Sequence, residues 1–185
     1  MTERQIAFFV DATKCTNCKT CEIACKEITA AGTGVRIRKV RTFELGSFPN
    51  VLAVNISMSC NHCEDPVCAK SCPANAYHKR EDGTVIHDRS KCIGCRYCTW
   101  VCPYGAPQYD EAGGRIRKCD LCAALRDSGG SPACVEACPT RAITVGWLDE
   151  LVAAEKGTMD IKNVPSYEIT RPATRYKIKT EARNG

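Results

Sequence analysis

The chain has few aromatic residues, only three histidines and no long apolar run. Aromatics make up 6% of its 185 residues. Outside the cysteines, the apolar residues are thin for a large aliphatic core. Something other than hydrophobic burial is therefore expected to hold the fold. No stretch of about 18 apolar residues occurs, which predicts no transmembrane helix. Met1 to Val10 contain neither an apolar stretch of signal-peptide length nor a cleavage site. No nucleophile–base constellation or phosphate loop is present. Gly32-x-Gly34 is too incomplete for a dinucleotide fingerprint.

What is present is 16 cysteines. In a secreted chain these would read as disulfides. Without a secretory signal they read as metal ligands. The formal charge of +5 does not argue for nucleic acid or a membrane surface. An oxidised 4Fe–4S cluster with four thiolates carries about −2, so four clusters would bring the chain to about −3. The excess Lys and Arg then serve as counter-charge for buried anions.

The cysteines fall into four groups of four, with none left over. The third, Cys92-x2-Cys95-x2-Cys98-x3-Cys102-Pro103, has the bacterial ferredoxin spacing. In that spacing three thiolates face one cubane and the fourth ligates the other cluster of a pair. The first, Cys15-x2-Cys18-x2-Cys21-x3-Cys25, matches it except that Lys26 stands where proline is usual. Without that proline the helix over 20–28 is expected to run on towards Ala31. The second, Cys60-x2-Cys63-x4-Cys68-x3-Cys72-Pro73, has a Glu64-Asp65-Pro66 turn inserted. The last, Cys119-x2-Cys122-x11-Cys134-x3-Cys138-Pro139, carries a surface loop at 128–132. Alone, this group would suit zinc. Beside the other three it reads as iron–sulfur.

Around the groups, strands are expected at 6–10, 35–43, 51–58, 115–117 and 142–145, with 35–43 half-buried by its apolar–basic alternation. A hairpin turning at Asp82-Gly83 is expected to join the middle two groups. Residues 148–156 suggest one short helix ended by Gly157. The rest, with Pro165 and Pro172, reads as an extended arm. His62, His78 and His87 read as surface or outer residues, and Trp100 and Trp147 as packing residues. Arg96, Lys118 and Arg141 adjoin ligands, where they would either raise cluster potentials or be solvated.

Two pairings satisfy the fourth-ligand rule. Consecutive pairing joins the first group to the second and the third to the fourth. Nested pairing joins the second to the third and the first to the fourth. The hairpin between the middle groups favours nesting. One cluster then takes Cys15, Cys18, Cys21 and Cys138. A second takes Cys25, Cys119, Cys122 and Cys134. A third takes Cys60, Cys63, Cys68 and Cys102. A fourth takes Cys72, Cys92, Cys95 and Cys98. Consecutive pairing keeps the same sixteen ligands. The expected fold is α+β, two nested bacterial-ferredoxin-like units with long irregular loops, each holding two 4Fe–4S clusters. Residues 1–50 plus 115–146 form the outer unit, 51–114 the inserted unit and 147–185 a C-terminal docking arm.

Several runs carry a family resemblance. They are Ser59-Cys-Asn-His-Cys-Glu-Asp-Pro-Val-Cys68, His78-Lys-Arg-Glu-Asp-Gly83, Cys92-Ile-Gly-Cys-Arg-Tyr-Cys98 and Cys102-Pro-Tyr-Gly-Ala-Pro-Gln-Tyr109. Lys118-Cys-Asp-Leu-Cys122, Cys134-Val-Glu-Ala-Cys-Pro139 and Phe9-Val-Asp-Ala-Thr-Lys-Cys15 extend it. Across about residues 6–150 the chain resembles the four-cluster iron–sulfur subunits of the dimethyl sulfoxide reductase family of molybdopterin oxidoreductases. The resemblance implies a non-catalytic relay subunit, nested pairing and a large molybdenum or tungsten catalytic partner. The Cys15 cluster would lie nearest that partner. The Cys92 cluster would face a membrane quinone subunit where one exists. Some nitrate reductase relatives have tryptophan at the position of Cys95 and a three-iron centre, so Cys95 implies four full cubanes. Relatives can be co-exported on a partner's twin-arginine signal. A bacterial or archaeal chain of this kind could thus be cytoplasmic, membrane-associated through partners, or periplasmic. The alternatives are a stand-alone soluble polyferredoxin and a structural zinc protein.

Overall fold

The apolar run near the N-terminus forms strand β1 (Ile6–Asp11), which feeds the first cysteine loop and helix α1 (Thr20–Ile28). A long hairpin follows, β2 (Lys39–Ser47) and β3 (Asn50–Met58), paired antiparallel from Lys39–Met58 to Ser47–Asn50. The second cysteine group carries a one-turn helix, α2 (Val67–Lys70). β4 (Tyr77–Lys79) and β5 (Val85–His87) make a short hairpin. The third group carries α3 (Tyr97–Val101), and β6 (Gln108–Asp110) pairs with β7 (Arg115–Arg117). The last group carries α4 (Ala123–Asp127) and α5 (Ala133–Glu136). β8 (Ile143–Trp147), α6 (Leu148–Glu155) and β9 (Arg175–Lys177) complete the chain. The computed structural model describes residues 4–155 and 157–183.

The result is a mixed α/β chain of small sheets. The largest has the order β8–β1–β9, with β8 antiparallel and β9 parallel to β1. α1 packs against α5 and α2 against α3, so the first group meets the fourth and the second meets the third. The main core joins Phe8, Val10, Ile56, Leu121, Ile143 and Tyr176 and takes in six buried cysteines, Cys21, Cys25, Cys60, Cys119, Cys134 and Cys138. A second core gathers Tyr77, Val85 and Ile116 with Cys68 and Cys98. The thiols thus occupy the positions that aliphatic side chains would fill in an ordinary small domain.

Four expectations change. The strand expected at 35–43 begins only at Lys39 and runs to Ser47. Val35, Ile37 and Arg38 are all buried in the segment before it, where Arg38 bonds Ser57 of β3 and lies over Phe8 of β1 instead of facing solvent. A domain boundary between residues 50 and 51 would fall at the hairpin tip, between two strands paired along their length. The gap between Cys122 and Cys134 holds α4 as well as a surface loop. Last, the tail is not an extended arm. Residues 157–183 fold back, bury Met159, Ile161, Ala173, Tyr176 and Ile178, and add β9 to the central sheet. The short apolar positions there pack on β1, which proline spacing concealed. Lys156, placed in the expected helix, lies outside the described residues.

Candidate metal centres

Aiming several sulfurs at one point requires sharp local turns. Each cysteine group makes them with left-handed residues. These are Asn17 and Lys19 at φ 59° in the first and His62 at 45° in the second. The third uses Gly94 at 72° and Arg96 at 63°, and the fourth Leu121 at 60° and Cys122 at 48°. Left-handed non-glycine residues are uncommon, and their recurrence in all four groups is a shared way of turning the chain sharply. Gly94 has a further constraint, since a Cβ there would sit 2.4 Å from the Gly114 carbonyl oxygen.

The fourth cysteines share a second device. Cys72, Cys102 and Cys138 are each followed by Pro-x-x-Ala. The third residue after each is left-handed: Asn75 at 47°, Gly105 at 60° and Arg141 at 52°. That turn points the next N–H back at the sulfur. Ala76 N–H donates to Cys72 Sγ at 3.4 Å and Ala142 N–H to Cys138 Sγ at 3.3 Å. Burial raises the Cys102 pKa, while N–H groups of Ala106, Tyr104 and Gly105 favour its thiolate. Cys25 lacks the proline and the turn. Its helix continues to Ile28, and the Thr29 hydroxyl caps the Cys25 carbonyl at 2.6 Å.

The sequence-derived residues assemble as follows. Cys60, Cys63, Cys68 and Cys102 line one cavity, together with Asn61 and Lys118. Cys15, Cys18, Cys21 and Cys138 line another, with Ser57. Burial pushes the Cys25 thiol up to about 12, Arg38 opposes the shift, and Cys134 and Cys122 are near enough to add to it. Cys119 is raised further by burial and by Cys25. Cys98 is raised by burial and by Cys92, Cys95 and Cys72, against the Tyr77 hydroxyl. That hydroxyl approaches Cys98 without closing a full hydrogen bond. Cys63 and Cys68 are also pushed up to about 12, chiefly by burial. At the surface the sign reverses: Cys18 is lowered by the Thr20 hydroxyl and N–H. Burial would raise Cys138, but the Thr140 hydroxyl and the Ala142 N–H outweigh it.

All sixteen thiols are free. Among the described residues, no three His, Cys, Asp or Glu donors close to the spacing of a single bound ion. Thiolates that each take one corner of a cubane stand wider apart than the four on one zinc. Four-thiol sets of this kind, with N–H groups aimed at sulfur, suit iron–sulfur clusters.

Two buried cations stand among the sulfurs. Arg38 donates Nη1 to Ser57 Oγ at 3.1 Å and lies over the Phe8 ring at 4.4 Å. Ser57 in turn contacts Cys21 Sγ at 3.4 Å. Burial opposes the Arg38 charge, but Cys134, Cys119, Cys21 and Cys25 more than offset it. Lys118 Nζ donates to Cys60 Sγ at 3.5 Å and to the carbonyls of Val85 at 2.5 Å and Cys119 at 2.6 Å. Its charge too is opposed by burial and held by Cys60, Cys119 and Cys68. Lys118 was legible as a ligand neighbour. Arg38 was not, because alternation with apolar residues reads as an exposed face.

Other singled-out residues move. His62 is 1% exposed, not a surface residue. Its Nδ1 accepts the Val85 N–H at 3.1 Å, and burial with nearby Lys118 holds its pKa well below the usual range. It is therefore neutral with the proton on Nε2. His87 is half-buried, with burial pulling its pKa down to about 4, and His78 is exposed. Trp100 is 77% exposed, so it packs on no helix, while Arg4 stacks over Trp147 at 4.6 Å. Arg96 is exposed and lies over Tyr109, and Arg141 is exposed. Asn61 is buried, lines the Cys60 cavity, and has no hydrogen-bond partner for either amide atom among the described residues.

Among the described residues, no helix is long and apolar enough to cross a membrane. Comparison with known proteins matches residues 52–148 to the 4Fe-4S dicluster domain. Over 187 residues the chain is 43% identical to one of the chains of the anaerobic dimethyl sulfoxide reductase of Escherichia coli, covering 97% of this chain and 91% of the relative. It is 35% identical to one of the subunits of the sulfite dehydrogenase of Allochromatium vinosum, covering 97% and 85%. The formate dehydrogenase iron-sulfur subunit of Wolinella succinogenes is 33% identical, covering 80% and 84%.

Proposed function

The chain is a member of the 4Fe-4S dicluster family, among iron–sulfur subunits of the dimethyl sulfoxide reductase type, and from that premise we propose how it carries electrons. It is a non-catalytic relay subunit holding four 4Fe–4S clusters. It works between a molybdopterin-dependent catalytic subunit and a second redox partner, which in membrane-bound complexes is a quinone-reacting anchor. When bound, the clusters supply one-electron oxidation and reduction.

The protein's part is to hold, space and insulate. The nested ligand sets fit best: Cys15, Cys18, Cys21 and Cys138; then Cys25, Cys119, Cys122 and Cys134; then Cys60, Cys63, Cys68 and Cys102; then Cys72, Cys92, Cys95 and Cys98. Support comes from the two cavities, each lined by one whole set, and from the packing of α1 on α5 and α2 on α3. Two nested ferredoxin-like units describe this arrangement, with the tail strand β9 counted in the outer one.

One observation carries the relay reading. The two exposed cysteines are Cys18 and Cys95, which belong to the first and fourth sets, while most cysteines of the middle sets are buried. A wire needs that profile, with insulated middle sites and ends that partners can reach. Charged and aromatic side chains stand near neighbouring sets. Arg38 bonds Ser57, which contacts Cys21 of the first, and sulfurs of the second favour its charge; Lys118 bonds the Cys119 carbonyl of the second and the Cys60 sulfur of the third; Tyr77 packs with Cys68 of the third and Cys98 of the fourth. Around Cys95 in the chain, Ile93 (69% exposed) and the contacting pair Tyr97 and Trp100 are exposed apolar side chains suited to a docked redox partner.

Native purification tests the reading. A brown complex containing a molybdenum or tungsten subunit is expected. A lone brown species of about 20.3 kDa would instead support a stand-alone polyferredoxin. A colourless, zinc-containing, iron-free protein would rule out both.

A further inference from the structure

Arg38 and Lys118 lie deep in the protein, at 2% and 8% exposure. A buried charge with no counter-ion is strongly unfavourable. Arg38 uses one N–H on Ser57, and its Nε and Nη2 have no acceptor among the described residues. Lys118 uses its ammonium on one sulfur and two carbonyls. The anionic groups facing them are cysteine sulfurs: Cys21, Cys25, Cys119 and Cys134 around Arg38, and Cys60, Cys68 and Cys119 around Lys118. Sorted by ligand set, each cation falls between two sets. Arg38 is linked through Ser57 to Cys21 of the first, and Cys25, Cys119 and Cys134 of the second favour its charge. Lys118 has Cys119 of the second and Cys60 and Cys68 of the third. No buried Lys or Arg accompanies the fourth set among the described residues, since its neighbour Arg96 is exposed.

We propose that Arg38 and Lys118 are fixed inter-cluster cations, which raise the reduction potentials of the first and second clusters and of the second and third clusters, respectively. The inference rests on the ligand sets given under the proposed function. Reduction adds one negative charge to a cluster. A fixed cation nearby stabilises the reduced form more than the oxidised one, and in a buried, weakly screened site the effect is large. The second cluster, flanked by both cations, receives the larger share. The fourth is tuned by exposure alone. The two side chains are positioning residues that tune the wire without reacting: Lys118 bonds the Cys60 sulfur, and Arg38 reaches Cys21 through Ser57.

The test is EPR-monitored redox titration of the natively purified holo-complex, with iron counted and signals assigned through single-cysteine variants. R38M should lower the one-electron reduction constants of the first two clusters by about tenfold or more and leave the fourth unchanged. K118M should do the same to the second and third. Tenfold corresponds to 59 mV for one electron. R38K and K118R keep the charge and should restore the potentials. Fully loaded R38M or K118M with all four potentials unchanged would overturn the proposal. Should a neutral variant not load, pulsed EPR on unsubstituted protein labelled with 15N-arginine or 15N-lysine takes its place. Side-chain nitrogen coupling to the reduced centres is expected, and its absence overturns the proposal. An iron count short of four clusters in the unsubstituted protein fails the ligand sets themselves, a different result from a full complement with unmoved potentials.

Discussion

Replacing Cys102 by serine should destroy the cluster of the second cysteine group and spare that of its own. Cys102 lines the cavity of Cys60, Cys63 and Cys68, while Cys98 has Cys92, Cys95 and Cys72 for neighbours. The prediction is sharpest as a double-substitution experiment read in iron atoms. A fully loaded chain holds about sixteen irons, and loss of one cluster leaves about twelve. C102S and C60S each remove the same cluster, so C102S/C60S should still retain about twelve. C102S/C98S strikes two clusters and should retain about eight. Consecutive pairing would put Cys102 with the Cys119 group, and C102S/C60S would then fall to about eight. Four groups each keeping their own cluster would leave C102S/C98S at about twelve. Iron and acid-labile sulfide on anaerobically purified complex, with EPR spin counts on the reduced protein, separate the three. An additive loss in C102S/C60S refutes the reasoning.

Cys95→Ser should leave a three-iron centre, because the exposed cysteine is the ligand most easily given up; a near-isotropic EPR signal from the oxidised protein is expected, and its absence counts against the assignment. Gly94→Ala should cost more than about 2 kcal/mol and empty the fourth site, given φ of 72° and a Cβ 2.4 Å from Gly114 O, read as iron loss without loss of the other signals. Ile161→Ala, at 2% exposure in the tail, should destabilise the loaded protein by about 2–5 kcal/mol, seen as an earlier urea midpoint for loss of visible absorbance; an undocked tail would show no change. Iron retention should fall as pH falls. Burial is the main cause that holds Cys25, Cys63 and Cys68 near 12, so each must release a proton to bind iron, and acid returns it. Chelator stripping should therefore be faster at pH 5 than at pH 8, and an opposite order contradicts the assignment of these thiols as ligands.

Much of the candidate site was legible because its chemistry is local. Ligand spacing, the proline after Cys72, Cys102 and Cys138, and its absence after Cys25 are all short-range features. Lys26 lets α1 run past Cys25, but the helix stops at Ile28, capped by Thr29, short of the expected run towards Ala31. What escaped was long-range. Arg38 follows an apolar residue in a basic alternation, and only its contacts with Ser57 and Phe8, far away in the sequence, show that it is inside. The tail from 157 to 183 is poor in regular pattern, yet pairing of β9 with β1 buries Tyr176 and Ile178. Local composition does not report which strand a three-residue segment will join. The Pro-x-x-Ala repeat was visible in principle. Its meaning, an N–H turned back to sulfur by a left-handed residue, required the backbone angles.

The central claim is a four-site wire within a single polypeptide. An anaerobic reductive titration of the natively purified complex, counting electrons taken up by its iron–sulfur centres, tests it most directly. Four one-electron equivalents per polypeptide, all reoxidised when an oxidant that the complex accepts is added, are predicted. Two or fewer equivalents, or centres that stay reduced during turnover, would contradict it.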